Sequence, residues 1–202
     1  MQVAEIEAKS SVTPSSLPST RLARAAINLA KYIRRENFSA VIMSGKSSAL
    51  SHALFIAAWK RLLPVKPMPP IFIFNDEGNI LLHKNIPGDC HDRLSRAQRF
   101  IDSNLPLLNT YKQAKACYVD EFISTGEKYM VLRSVFRSLG FEAISFAFYA
   151  GGLTVEKNGY VAELDMSLVT LLHQHTRDAE RSALFRPTLA AALRTIKTLT
   201  VG

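Results

Sequence analysis

Cysteine is scarce: only Cys90 and Cys117 occur in 202 residues. That count excludes a disulfide scaffold and makes a reducing compartment the natural setting. No stretch approaches the roughly 20 apolar residues that a bilayer-spanning helix needs. The first 20 residues lack the apolar core of a secretory signal. Long runs of Lys and Arg are missing too; the closest cluster is Lys31, Arg34 and Arg35, so a disordered basic arm for nucleic acid is not expected. No internal repeat is visible. The expectation is a soluble, cytoplasmic protein with no membrane partner.

What is present is an ordinary globular mixture, 48% apolar and 21% charged, which excludes disorder throughout. The length suggests one domain with a small appendage. Lys and Arg number 25 against 17 Asp and Glu, a formal charge of +8. That excess points to an anionic partner without choosing among phosphorylated small molecules, nucleic acid and a membrane surface.

The pattern along the chain alternates between strand and helix periods. Residues 1–20, rich in Ser, Thr and Pro, read as a flexible leader. Ser19 or Thr20 can cap a helix carrying Leu22, Ala26, Leu29, Ala30 and Ile33 on one face. Residues 40–43, 71–74, 116–119 and 142–148 are short apolar runs of the kind covered on both faces. Helical stretches are expected over 49–63, 91–108 and 127–139, the last ended by Gly140. An edge strand is expected over 79–83, a hairpin over 153–164 from Asn158-Gly159, and mainly helix thereafter. The fold class is therefore α/β: a mainly parallel sheet with helices on both faces over 21–150, and a hairpin and helical segment over 151–202. In such sheets ligands gather at the carboxyl ends of strands, which puts the polar loops 44–48 and 120–128 on one rim.

The segment from Cys117 to Lys128 carries the most chemistry. An apolar strand delivers two adjacent carboxylates, Asp120 and Glu121. Ser124, Thr125 and Gly126 then open a helix with two hydroxyls and free backbone N–H groups, which favour phosphate. Carboxylates beside a phosphate cradle suit a ribose 5-phosphate: hydroxyls on one side, phosphate on the other. The plainer alternative is a solvated strand-to-helix turn with a capping hydroxyl.

This segment resembles the PRPP-binding motif of type I phosphoribosyltransferases: a hydrophobic strand (Ala116-Cys117-Tyr118-Val119), two acids (Asp120-Glu121), two apolar residues (Phe122-Ile123) and a Ser-Thr-Gly loop (Ser124-Thr125-Gly126). The resemblance implies that Asp120 and Glu121, the catalytic candidates, face the ribose hydroxyls, and that Ile123, Ser124, Thr125, Gly126, Glu127 and Lys128 lie around the 5-phosphate. It implies a pyrophosphate loop at Ser44, Gly45, Lys46, Ser47 and Ser48, and Mg²⁺ held through pyrophosphate, with Asp120 or Glu121 reaching it through water. It also implies a flap in 76–112, where Lys84, Arg93, Arg96 and Arg99 fall. Dimers are frequent in the family, which leaves a homodimer open.

The match departs from the family pattern at several points. Glu121 replaces the usual aspartate, Phe122 is bulky, and Glu127 and Lys128 stand where a small residue and a hydroxyl are usual. No flap sequence marks a particular acceptor base. Two function classes follow: a transferase moving phosphoribosyl to or from a nitrogenous base, and a non-catalytic PRPP- or nucleotide-binding regulator of the same fold. Contact with nucleic acid could coexist with either.

Competing readings of other residues are plainer. Gly45-Lys46-Ser47 resembles the end of a Walker A loop, but Ala40 stands where its first glycine belongs. A simple cap for the next helix is its other alternative. Arg93, Arg96 and Arg99 share a helix face and read as solvated. His83, Cys90 and His91 match no standard zinc spacing, and His173 and His175 point apart on a helix. Cys117 and Trp59 read as core.

Overall fold

A strand that is apolar at every position must be covered on both faces, and the sequence supplies several. In the computed structural model these form one sheet of five parallel strands, ordered β2-β1-β3-β4-β5: β1 (Ala40–Ser44), β2 (Ile71–Phe74), β3 (Ala116–Ile123), β4 (Ile144–Gly151) and β5 (Tyr160–Leu164). The helices are α1 (Pro18–Arg35), α2 (Ser48–Leu62), α3 (Glu127–Ser138), α4 (Met166–Arg177) and α5 (Phe185–Thr198), with a short 3-10 turn at Leu108–Tyr111. The structure describes residues 17–44, 48–74, 108–123, 127–152, 159–177 and 185–199. The leader to residue 16, the strand expected over 79–83, all but the last residue of the helix expected over 91–108, and Lys84, Arg93, Arg96, Arg99, His83, Cys90 and His91 lie outside them.

Side-chain alternation sorts the core into two layers. Val41, Met43, Cys117, Val119, Ala147 and Tyr149 face the layer built from α1, α2, α4 and α5. Ile42, Tyr118, Phe146 and Phe148 face α3, whose Tyr129, Leu132, Val135 and Phe136 cover them. Trp59 is buried, its indole N–H donating to the Lys66 carbonyl (3.2 Å). Cys117 is wholly buried as well, and burial pushes its thiol pKa up. Among the described residues no helix is long and apolar enough to cross a membrane.

Local chemistry sets the helix ends. The sequence expected Ser19 or Thr20 to cap α1, but neither does; Leu17 is the cap residue, without a side-chain bond, and Pro18 sits at the helix start. Proline there has its φ preset and lacks only an N–H that the helix leaves unused. The carboxyl ends of α1 and α3 share one device. Asn37 (φ 54°) and Gly140 (φ 86°) adopt the left-handed conformation. The N–H of Phe38 then reaches the Ile33 carbonyl (3.5 Å) and that of Phe141 the Phe136 carbonyl (3.0 Å). In each case the returning phenylalanine packs on the last turn, Phe38 on Tyr32 and Phe141 on Phe136, as a Schellman ending requires.

Of the hairpin expected over 153–164, residues 153–158 lie outside the described residues and 160–164 form β5. β5 pairs with β4 in parallel, from Ala147↔Tyr160 to Gly151↔Leu164. The Asn158-Gly159 signal has another cause: a Cβ on Gly159 would lie 2.6 Å from the Phe146 carbonyl oxygen. The glycine serves a close backbone approach, and its φ lies outside the left-handed region that a type I′ turn requires. As the edge strand, β5 needs cover, and α1 supplies it with one stripe of residues. Arg21 pairs with Asp165 and Arg24 with Glu163 (3.7 Å). Asn28 donates to the Ala162 carbonyl (3.1 Å), and the Tyr32 ring stacks on Tyr160 (3.9 Å, 1°). Ala192 and Ile196 of α5 belong to the same core as α1 and α2.

Candidate functional site

The order β2-β1-β3 makes β1 the strand from which the chain goes first to one side and then to the other. Its boundary with β3 is the topological switch point, where loops leave in opposite directions and a crevice opens at the carboxyl ends. Four element ends mark this boundary: Ser44, the buried last residue of β1, Ser48 at the start of α2, Ile123 at the end of β3 and Glu127 at the start of α3. The helices that leave these strands begin at this rim, so their free N–H groups and positive dipole ends gather there.

β1 and β3 pair from Ala40↔Ala116 to Met43↔Val119 and no further. Asp120 and Glu121 are the next residues of β3, level with the end of β1. Both are buried, at 5% and 3% exposure. The Asp120 carboxylate accepts the Glu121 N–H (2.8 Å). On the other side β3 pairs with β4 at Asp120↔Phe148 and again at Phe122↔Ala150, skipping Glu121 opposite Tyr149. Across that gap the alternation changes phase. Val119 faces the α1/α2 layer, yet Phe122 also packs there and Ile123 packs on the α3 side. The two acids therefore sit where the strand departs from regular pleating.

Sequence reasoning missed the neighbour that holds this corner. Tyr149, wholly buried on β4, donates its hydroxyl hydrogen bond to the Ser51 carbonyl in the first turn of α2 (2.5 Å). Its pKa is raised well above the usual phenol value, chiefly by burial and further by the negative charge of Glu121. Glu121 thus lies in electrostatic reach of a tie between β4 and the helix that follows β1. Nothing in the spacing of 142–148 singled out Tyr149, because a tyrosine in an apolar run reads as core.

Of the other sequence candidates, Ile123 is buried in the α3-side cluster, so only its backbone is available to a ligand. Gly45, Lys46, Ser47, Ser124, Thr125 and Gly126 lie outside the described residues. Ser48 opens α2, and Glu127 and Lys128 open α3. Those helix starts are fixed, while their side chains lie outside the description. His173 and His175 fall on α4.

No protein-family model matches this sequence, and no curated protein matches it. Solved structures do. The chain is similar to hypoxanthine-guanine phosphoribosyltransferase from Schistosoma mansoni in complex with IMP, at 15% identity and TM-score 0.42 over 73% of this chain and 63% of that one. It is similar to the Bacillus anthracis hypoxanthine-guanine phosphoribosyltransferase, at 16% identity and TM-score 0.42 over 73% and 79%. A third is Leishmania donovani UMP synthase, at 14% identity and TM-score 0.41 over 86% of this chain and 33% of that one. The chain thus spans less than two thirds of the first of these and about a third of the last.

Proposed function

We propose that the rim between β1 and β3 binds a ribose 5-phosphate ligand, PRPP or a relative, with Mg²⁺, and that the protein transfers phosphoribosyl to or from a nitrogenous base. The observation that carries this reading is the placement of Asp120 and Glu121: adjacent, buried, and emerging at the switch point where pairing to β1 stops. Carboxylates there accept hydrogen bonds from sugar hydroxyls, and the start of α3 six residues later is where a 5-phosphate gains from helix N–H groups. The sequence from Ala116 to Gly126 supports the ligand class through its resemblance to the PRPP motif.

Among the described residues no three His, Cys, Asp or Glu side chains converge. The rim offers a carboxylate pair instead, which suits Mg²⁺, an ion that keeps several waters and shares its shell with substrate phosphates. Asp120 or Glu121 would hold it through water. When bound, the metal offsets the negative charge of departing pyrophosphate.

In this reading a base nitrogen attacks ribose C1 as the bond from C1 to pyrophosphate breaks, leaving positive character on the sugar. Asp120 and Glu121 fix the ribose by its hydroxyls and present negative charge near that carbon. Ser44 to Ser48 bind the pyrophosphate end, where Lys46 adds a cation and the loop N–H groups add dipoles. Ser124 to Lys128 anchor the 5-phosphate. The acceptor base falls to the N-terminal segment or to residues 151–202.

Calorimetric titration with PRPP, with and without Mg²⁺, tests the reading against an Asp120→Asn/Glu121→Gln double variant. Mg²⁺-dependent binding that the variant loses supports it, and a screen of bases follows. Folded wild-type protein that ignores PRPP overturns it. Glu127, the first residue of α3, favours a second reading: a carboxylate in the turn meant for phosphate fits a ligand-binding regulator better than an efficient enzyme. PRPP binding without turnover of any base would select it.

A further inference from the structure

The opposite end of the sheet holds a second concavity, of about 180 Å³, where the chain enters β1 and β2. Its apolar wall includes Trp59 and Met68, and its polar lining is Arg34, Asn37, Ser39 and Lys66. All four are exposed, and no carboxylate lines the pocket. Among the described residues none of the four side chains makes a hydrogen bond or ion pair with another. The nearest acid in sequence, Glu36, is already engaged by Lys115 (2.9 Å) and by Arg35 (3.1 Å). These pairs draw its pKa down, with Lys115 the larger cause.

We propose that this pocket binds the phosphate group of a small phosphorylated molecule, independently of the rim between β1 and β3. An arginine fork and a lysine point charge are the side chains that phosphate selects. The Asn37 amide and Ser39 hydroxyl add neutral donors, and low-dielectric walls focus the field of the cations into the hollow. The carboxyl ends of α1 and α2 bring partial negative charge to this pole. The anion must therefore be held by whole side-chain charges, and Arg34 and Lys66, the cations that line the pocket, are engaged by no acid among the described residues. A hollow of about 180 Å³ suits one compact group better than an extended strand.

Trp59 is the only tryptophan in the chain, so its fluorescence reports this pocket directly. The experiment titrates full-length protein with inorganic phosphate, with AMP and with a single-stranded oligodeoxynucleotide. It compares wild type, Arg34→Ala, Lys66→Ala, the double variant, and Asp120→Asn/Glu121→Gln. Saturable quenching or a shift by phosphate or AMP is expected. It should weaken about tenfold in each single variant, the equivalent of one charge-assisted hydrogen bond, and persist in the Asp120/Glu121 variant. Tight, steeply salt-dependent binding of the oligonucleotide alone would overturn the small-molecule assignment in favour of a polynucleotide backbone. A Trp59 response absent in wild type, indifferent to Arg34 and Lys66, or lost in the Asp120/Glu121 variant overturns the site itself. Failure of the PRPP titration leaves this result untouched.

Discussion

Removing one oxygen, Tyr149→Phe, tests whether the corner around Glu121 is tied as its geometry indicates. The hydroxyl is wholly buried and bonds the Ser51 carbonyl at 2.5 Å. A buried neutral hydrogen bond contributes about 1 kcal/mol net. The carbonyl left behind lies within α2 and keeps the helix's own N–H, so no acceptor is stranded and the cost stays near that figure. Phenylalanine retains the ring packing and creates no cavity. For a chain of this size about 1 kcal/mol lowers Tm by roughly 2–4 °C. Urea unfolding should show a lower midpoint with an unchanged slope, since the surface exposed on unfolding is the same.

The same variant carries a functional expectation. Ser51 lies three residues into the helix that follows the 44–48 loop, and Glu121 lies within electrostatic reach of the hydroxyl. Loosening that tie lets the helix start shift relative to the acid pair, so PRPP affinity should fall by more than stability alone explains at temperatures where the variant is fully folded. A variant as stable as wild type, with unchanged ligand affinity, would refute the argument that Tyr149 holds α2 against β4.

Three further outcomes follow from other contacts. Gly159→Ala should destabilise the protein by about 1–3 kcal/mol, the usual cost of overpacking, because the new Cβ meets the Phe146 carbonyl at 2.6 Å; a thermal melt unchanged from wild type refutes the close-approach reading. Asp165→Ala should cost about 1–2 kcal/mol by denaturant titration, since that carboxylate caps α4 through Ser167 (2.9 Å) and pairs with Arg21; Ser substitution should recover part of the cap but not the ion pair. Burial raises the Tyr32 pKa to about 12, so the folded state holds its proton more tightly than the unfolded chain. The stability this contributes is complete below pH 10 and lost as pH climbs towards 12, and tyrosinate absorbance should show a late-titrating phase that Tyr32→Phe diminishes by one tyrosine.

The parts of the fold legible in the sequence were those set by local rules. Continuous apolar runs at 40–43, 71–74 and 116–119 announced strands covered on both faces, and Gly140 ended its helix where a left-handed residue was needed. The misreadings share one physical cause: a residue type that serves two geometries. Asn158-Gly159 suits a type I′ turn, yet Gly159 is required by the Phe146 carbonyl pressing on it, a contact between residues 13 positions apart that no local pattern encodes. Ser19 and Thr20 suit a cap, but Pro18 had already begun the helix. Asn37 ends α1 as Gly140 ends α3, and it passed unnoticed because asparagine is common in every loop. At the site, the acid pair was legible because both members are consecutive. Tyr149 was not, because its partner Ser51 is 98 residues away.

The two ends of a parallel sheet differ in what they ask of the sequence. At the carboxyl rim, helices leaving the strands begin, so backbone N–H groups and dipoles attract anions before any side chain is chosen. Phosphate binding there can be written with Ser, Thr and Gly, and the sequence can even afford acids such as Asp120 and Glu121 among them. At the amino end, helices finish, and the same dipoles repel anions. Any anion held there needs Arg and Lys, and α1 and α2 each finish in a basic pair, Arg34-Arg35 and Lys60-Arg61. Part of the +8 charge thus compensates helix ends and is spent locally. Arg34 and Lys66 differ because they converge on a hollow. That distinction separates a binding pocket from charges that only offset a dipole: in the first case phosphate affinity depends on both residues together, in the second it depends on neither.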